Sequence, residues 1–144
     1  MLKSNLLSTN SLPALIIRLT VGLIFLSEGL QKFILPDING TGRFMAAGFV
    51  NAEFWAYFTG CFEIICGFLV VTGLMTRLAS IPLLTIMVVA FITTKWPILT
   101  ESGFWSFAHA YRTDFAMTML LLYLVIAGGG GFSADRLLPG KSKK

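Results

Sequence analysis

Four ionisable side chains interrupt long apolar stretches of this sequence, and they are the residues best placed to carry chemistry. Arg18, Glu28 and Lys32 interrupt the first apolar stretch, and Glu63 interrupts the second. Placing a charged residue at the centre of a membrane helix costs about 2.5–3.5 kcal/mol, so such residues usually face a helix interface or a polar cavity. Acids and bases in such a place can move protons or hydrogen-bond a polar group of a ligand.

The first apolar stretch would place its three charges on one helical face, within about 80° of Arg18 around the axis. Gly22 and Gly29 share that face. Glu28 and Lys32 also form an i, i+4 pair in the favourable order, close enough to neutralise each other. Two interpretations stay open. One is a helix interface with small residues and snorkelling charges, and the other is a ligand site that uses Lys32 or Glu28.

Glu63 lies near the middle of the second apolar stretch, about nine residues or roughly 13 Å below its outer end. An isolated buried carboxylate is too costly, so we expect Glu63 to be protonated or paired with Arg18 or Lys32. The pattern is compatible with a salt bridge that fixes helix register, and equally with a proton or ligand carboxylate that faces a cavity. Small or short side chains share its predicted face: Thr59, Gly60, Cys66 and Gly67.

Further ionisable residues fall at the outer ends of the apolar stretches. Asp114 follows Arg112 at the expected outer start of the fourth stretch, where an acid suits the positive end of a helix dipole, so we favour helix capping as its role. A polar pocket shared between helix ends is the hypothesis to set beside it. The residues that map to this outer level are Glu28, Lys32, Lys95, His109, Arg112 and Asp114.

Other familiar kinds of site find little support. His109 is the only histidine, which excludes a bis-His haem or a His-based metal site within one chain, and we predict no metal site. Cys61 and Cys66 lack redox-pair spacing and would point to different faces, so we interpret them as packing residues. The glycine run 128–131 has no following G-K-[ST] and is expected to end the fourth helix.

The composition indicates which elements must position these residues. The chain has 144 residues, of which 56% are hydrophobic and only 12% are charged. Average globular domains are about 45–50% apolar and about 25% charged, so a soluble domain is excluded and a lipid bilayer is the expected surrounding. Windows of about 20 apolar residues predict four spans, at about 12–35, 54–74, 78–95 and 112–131, within a single domain, 1–144.

The predicted fold class is all-α: an integral membrane four-helix bundle, up-down-up-down, with both termini cytoplasmic. Arg77 in the second connection and the basic tail favour that orientation. The connection 36–53 is expected to hold a short amphipathic segment on the outer surface, and 96–111 is expected to lie along the interface. The modest positive charge gives little reason to expect nucleic acid as a partner. Three lysines make up the basic tail: Lys141, Lys143 and Lys144.

These residues together resemble the DoxX family of small four-helix membrane proteins. The resemblance covers nearly the whole chain. It is most specific in two stretches: one runs from R-x-x-x-G at 18–22 to G-x-x-K at 29–32, and the other is G-x-x-E-x-x-x-G at 60–67, which leads to Thr76 and Arg77. At Asp114 this chain departs from relatives that often have Glu there. The matching positions are Arg18, Gly22, Leu23, Phe25, Gly29, Lys32, Gly60, Glu63, Gly67, Gly73, Thr76, Arg77, Met87, Ala90, Gly131, Ser133 and Asp135.

The resemblance implies a multi-pass protein of the cell inner membrane. Some family members are linked to the small subunit of a thiosulfate:quinone oxidoreductase, and others to thiol and oxidative-stress homeostasis. Carried over to this chain, it marks Arg18, Lys32, Glu63 and Arg77 as the polar positions that match the family, while catalytic residues stay unassigned.

Two hypotheses about function follow. In the first, the bundle is a component of a quinone-linked or thiol-linked oxidoreductase: Lys32 or Arg18 would hydrogen-bond a quinone oxygen, and Glu63 would move protons. No intrinsic cofactor motif is present, so electrons would come from a soluble or membrane oxidoreductase partner. In the second, the chain is a non-enzymatic scaffold, chaperone or small-solute carrier whose buried charges fix helix packing. Whether the chain is itself an enzyme stays open.

Overall fold

The computed structural model describes residues 12–137 and is helical through almost all of them. The basic tail lies outside the described residues, so its predicted role stays a prediction. The helices are α1 (Leu12–Ile34), α2 (Pro36–Asn39), α3 (Thr41–Ala46), α4 (Ala52–Thr72), α5 (Thr76–Ala90) and α6 (Trp96–Ala127). A π-helical segment, Phe91–Lys95, joins α5 to α6, and a 3-10 turn, Ala134–Leu137, follows the last helix.

Three helical stretches within 12–137 are long and apolar enough to cross a membrane: 12–34, 52–72 and 76–127. The third has 52 residues and would be about 78 Å long if straight, more than twice the roughly 30 Å of a bilayer's hydrocarbon core. It reverses at Gly103, whose φ of 81° and ψ of 174° are not helical. Residues 20 positions apart meet as a result: the Phe91 and Tyr111 rings lie 5.1 Å apart.

The bundle therefore has four apolar arms: α1, α4, the arm that runs from α5 towards Gly103, and the arm that returns after it. This arrangement confirms the predicted fold class, an all-α helical bundle of a membrane protein. The side of the membrane that holds the termini stays a prediction.

The connection 96–111 is helical on both sides of Gly103. Its position along the interface stays a prediction. A glycine adopts this positive φ without the steric cost that a Cβ would bring, so a single residue can reverse the chain. The fourth arm consequently begins soon after Gly103 and not near residue 112. It ends at Ala127, and Gly128, with φ 79°, turns the chain out of the helix, as we predicted for the glycine run.

α1 and α4 pack against each other through two reciprocal glycine contacts. A Cβ on Gly22 would lie 2.8 Å from the carbonyl oxygen of Gly67, and one on Gly67 would lie 3.0 Å from that of Gly22. Gly29 and Gly60 repeat the pattern, at 2.9 and 3.3 Å. From the first contact to the second, the residue number rises along α1 and falls along α4, so the two helices are antiparallel. The two contacts together fix their register. Backbones can approach this closely only where side chains are absent.

One apolar cluster fills the core between the four arms. It lies on the side of Lys32 and Glu63 nearer the start of α1, and the region around those two residues is left less densely filled. The lipid-facing surface carries many exposed large apolar side chains, as a bilayer requires. The buried cluster consists of Val21, Phe25, Cys66, Val70, Ala79, Leu83, Met117, Leu121 and Leu124.

Candidate functional site: a buried ion pair beside a cavity

Lys32 of α1 and Glu63 of α4 form a buried ion pair. The distance from Lys32 Nζ to Glu63 Oε2 is 2.6 Å, and the two side chains are only 8% and 5% exposed. The Gly29–Gly60 contact brings the two helices close enough for the pair to form. Of the partners that the sequence left open for Glu63, the structure selects Lys32 over Arg18.

Glu28 has a different place from the one that the i, i+4 pairing suggested. Lys32 Nζ lies 3.4 Å from the backbone oxygen of Glu28 and directs its ammonium to Glu63. The Glu28 carboxylate is half-buried and forms no ion pair with any side chain in the described part of the structure. The expected neutralisation of Lys32 by Glu28 is therefore wrong, because the carboxylate across the helix interface takes the ammonium instead.

A cavity of about 200 Å³ borders the ion pair. Its apolar wall includes Phe25 and Met117, which belong to the core cluster, so the cavity begins where the core ends. The polar and charged side chains around it come from α1, α3, α4, the π segment and α6. They are Glu28, Lys32, Arg43, Glu63, Thr93, Thr94, Thr113 and Asp114.

Asp114 lines this cavity from the middle of α6 and forms a second ion pair, with Lys95 Nζ at 3.2 Å. Our capping interpretation of Asp114 is wrong, since the helix starts well before it. Lys95 also donates to the carbonyl oxygen of Ala110 at 2.9 Å. The predicted polar pocket thus contains Glu28, Lys32 and Asp114, with Lys95 paired at its edge, whereas His109 and Arg112 are exposed and contact each other elsewhere.

The π segment positions part of this lining. A single π-helical turn inside an α-helix shifts the residues that follow it around the axis, and such turns are frequent at functional sites. Here it places Thr93 and Thr94 on the cavity and Lys95 against Asp114. Both threonine hydroxyls donate to carbonyl oxygens one turn earlier, those of Val89 and Ala90.

The segment between α1 and α4 supplies site residues that our sequence reasoning missed. Arg43, Phe44 and Phe49 border the cavity, and the rings of Phe44 and Phe49 lie 5.1 Å apart. The amphipathic pattern of the connection was the available signal, and it indicated a surface segment. The pattern held no information about which helix ends the segment covers.

The charges around the cavity balance. Lys32 and Arg43 provide two positive charges, while Glu28, Glu63 and Asp114 provide three negative ones. Lys95, paired with Asp114, supplies the third positive charge. A site with no net charge favours a neutral ligand over an anion or a cation.

Arg18 belongs to a separate site at the other end of α1. It is 2% exposed. Its Nε donates to the carbonyl oxygen of Val70 at 3.0 Å, and one terminal nitrogen donates to that of Val71 at 2.8 Å. The other terminal nitrogen donates to Gly129 and Phe132 carbonyls at 2.8 and 3.0 Å. Arg18 therefore ties the end of α4 to the chain that leaves α6.

Asp135 and Arg77 lie near this second site. The Asp135 carboxylate accepts hydrogen bonds from the backbone N–H of Met75 (2.6 Å) and Thr76 (3.4 Å), which caps the start of α5. Arg77 is exposed, and its terminal nitrogen lies 3.5 Å from the carbonyl oxygen of Ala127 at the end of α6. Arg18 and Arg77 thus do not share the cavity of Lys32 and Glu63.

Comparison with known proteins decides the family. The DoxX family model matches residues 14–96. This chain belongs to the DoxX family. It is 48% identical over 140 residues to the uncharacterized membrane protein Rv3486 of Mycobacterium tuberculosis, covering 92% of this chain and 86% of that protein. It is 28% identical over 123 residues to a Bacillus subtilis protein named "Putative oxidoreductase CatD", covering 84% and 83%. No solved structure gives a significant match.

The range matched by the DoxX family model contains most of the site residues of this chain but not all of them. It includes Arg18, Glu28, Lys32, Glu63 and Arg77, and it ends one residue after the π segment. Arg18, the Lys32–Glu63 pair and the α1–α4 glycine contacts therefore fall within the matched range, whereas Gly129 and Phe132, which accept hydrogen bonds from Arg18, lie beyond it. Asp114 lies beyond it, although the fold brings that residue to the same cavity.

Proposed function

We propose that this DoxX protein is the membrane component of an oxidoreductase system in the cell inner membrane, and that it holds a quinone-class ring in the cavity beside Lys32 and Glu63. The observation that carries the proposal is the buried ion pair on the wall of that cavity. The name of the Bacillus subtilis relative supports an oxidoreductase-linked role.

The size and chemistry of the cavity suit such a ring. A dry apolar cavity of about 150 Å³ is enough to bind benzene, and this cavity measures about 200 Å³. Apolar side chains such as Phe25 and Met87 provide walls for a ring, while Lys32 and Arg43 are hydrogen-bond donors for its oxygens. The ring is neutral, as the balanced charges favour.

A bound quinone would supply two-electron, two-proton redox chemistry. Lys32 would donate a hydrogen bond to a ring oxygen, and Glu63 would hold or release a proton beside it. Protonation of Glu63 removes the partner of Lys32, and Glu28, one turn earlier on α1, offers a second carboxylate. The ammonium can then stay neutralised in both protonation states of Glu63. The sequence has no flavin, haem or iron–sulfur motif, so the proposal includes a partner oxidoreductase as electron donor.

Ring binding is tested with purified protein in lipid nanodiscs and tetramethylbenzoquinone, a neutral ring without a tail. Lys32→Met should weaken binding about tenfold to a hundredfold, the range for loss of a hydrogen bond to a charged group. Arg112→Met is the matched control, because Arg112 is exposed and does not border the cavity. Equal affinity of the wild type and Lys32→Met, with both proteins intact by size exclusion, would contradict the proposal.

Electron transfer is tested separately in native membranes. Glu63→Gln keeps the shape of the side chain but cannot release a proton, so it should slow quinone reduction by the native donor while ring binding is retained. Glu101→Gln, a change of an exposed acid outside the cavity, is the control. A scaffold, chaperone or carrier would keep its function in both Glu63→Gln and Lys32→Met and would copurify with lipid alone. That result would favour the non-enzymatic alternative.

A further inference from the structure

A second, larger cleft lies against the first half of α4. Its volume is about 830 Å³, and it runs between the α3 segment and one face of α4. Most of the side chains around it are apolar or aromatic, and its polar residues, among them Asn51 and Glu53, lie near the start of α4. The apolar part is lined by Met45, Phe49, Phe54, Tyr57, Phe58 and Cys61.

The α4 side of this cleft is an aromatic surface that none of residues 12–137 covers. Phe54 and Phe58 are 59% and 45% exposed, and their rings stack at 5.7 Å. Side chains at positions 54, 57, 58 and 61 recur at the spacing of one helical face. Such a surface offers contact area to a hydrocarbon chain and few hydrogen-bonding groups.

Phe49 lies between this cleft and the ion-pair cavity, because it borders both. It is half-buried and packs against Phe44 of the cavity wall. A molecule with a ring in the cavity would therefore reach the cleft by passing this one side chain. The two spaces also differ as the two ends of such a molecule do: the cavity is small and carries balanced charges, whereas the cleft is larger and mostly apolar.

We propose that the cleft receives the hydrocarbon tail of the ligand whose ring occupies the cavity. The substrate class is then a membrane-resident quinone with an apolar tail, and Phe49 marks the point where ring and tail diverge. This inference rests on the proposed function. The tail should add little affinity. In the free ligand it already lies among the lipid chains of the bilayer, so moving it into the cleft gains little binding free energy. Its contact with α4 fixes the orientation of the ring.

Cys61 provides a built-in probe of the cleft, since its thiol is exposed and lines it, whereas Cys66 is buried. The experiment measures the rate of Cys61 alkylation by a maleimide in nanodiscs, by mass spectrometry of the α4 peptide. Two ligands are compared: tetramethylbenzoquinone, and the same ring with one methyl replaced by a decyl chain. Both are fully substituted and cannot arylate the thiol.

The tailed ligand should slow alkylation by a factor of about 1 + [L]/Kd, roughly elevenfold at ten times Kd, because only the unoccupied protein reacts. The tail-less ring should leave the rate within about twofold under the same occupancy. A control protein carries Cys61→Ala and Leu23→Cys, which moves the thiol to an exposed position on α1 outside the cleft. Neither ligand should protect that thiol.

The outcomes separate the two proposals. If both ligands bind and neither protects Cys61, the tail lies outside the cleft, which overturns this inference and leaves the ring site standing. Equal protection by both ligands would place the ring itself in the cleft and overturn the inference as well. If neither ligand binds at all, the proposed function fails and this inference fails with it.

Discussion

Removing one member of the Lys32–Glu63 pair should destabilise the protein far more than removing both. With side chains only 8% and 5% exposed and a separation of 2.6 Å, water screens this pair little. An exposed pair is worth about 0–1 kcal/mol. Breaking a buried pair costs about 3–5 kcal/mol, because one charge is left without its partner. We therefore expect Lys32→Met or Glu63→Leu alone to cost about that much.

The double variant should recover most of this loss. Replacing both charges with apolar side chains of similar volume is often neutral or stabilising, because no unpaired charge is left. With about 3–5 kcal/mol lost in each single variant and about 1 kcal/mol in the double variant, the double-mutant cycle should give a coupling of about 5–9 kcal/mol, above the roughly 0.5–3 kcal/mol usual for residues in contact. At about 2–4 °C per kcal/mol, each single variant should unfold about 6–20 °C below the wild type, and the double variant only a few degrees below it.

Thermal unfolding in one detergent, followed by tryptophan fluorescence, measures these differences. The matched control is the pair Lys95 and Asp114, which is 15% and 25% exposed with a separation of 3.2 Å. Its disruption by Lys95→Met should cost about 1 kcal/mol, because solvent screens a more exposed pair. Additive effects of Lys32→Met and Glu63→Leu, with no recovery in the double variant, would refute the view that the two side chains act as a coupled pair.

Two further changes test the elements that hold the bundle together. Arg18→Lys removes the planar guanidinium that donates to four carbonyl oxygens. It should lower the free energy of unfolding by at least about 3 kcal/mol, measured as a lower unfolding temperature. The control, Arg112→Lys on the exposed surface, should have little effect. Gly103→Ala puts a Cβ into a backbone conformation that essentially only glycine adopts. It should lower the free energy of unfolding by about 1–3 kcal/mol in the same assay. An unchanged unfolding temperature would contradict a chain reversal that depends on the positive φ of Gly103.

The helix faces of the site could be predicted from the sequence, but their register could not. Glycines one or two turns from Arg18, Lys32 and Glu63 predicted that these charges face a close helix interface, and the structure places all three there. Whether Glu63 would meet Arg18 or Lys32 depended on how far α1 slides along α4. The reciprocal Gly22–Gly67 and Gly29–Gly60 contacts fix that position, and no local pattern shows which glycine opposes which.

The third and fourth arms show a second limit. Hydropathy located their apolar parts, yet the aromatic side chains of 96–111 indicate a connection along the interface and not two helical ends that meet at Gly103. The reversal needs only one residue with positive φ, and glycine is common inside membrane helices, so its presence did not mark the turn. The same miscount of helix bounds made Asp114 look like a cap, when it pairs with Lys95 from within the helix.

The two buried charge sites of this protein differ in whether they can change state. Arg18 directs its donors to backbone carbonyl oxygens, which do not titrate, and arginine keeps its charge at any physiological pH, so that site has one arrangement. Lys32 instead faces the carboxylate of Glu63 and lies one turn from that of Glu28, on the wall of a cavity. A proton added to Glu63 removes the partner of the ammonium and leaves Glu28 as the carboxylate one turn away. For this reason the proposed chemistry belongs to Lys32 and Glu63, whereas Arg18 ties the end of α4 to the chain that leaves α6.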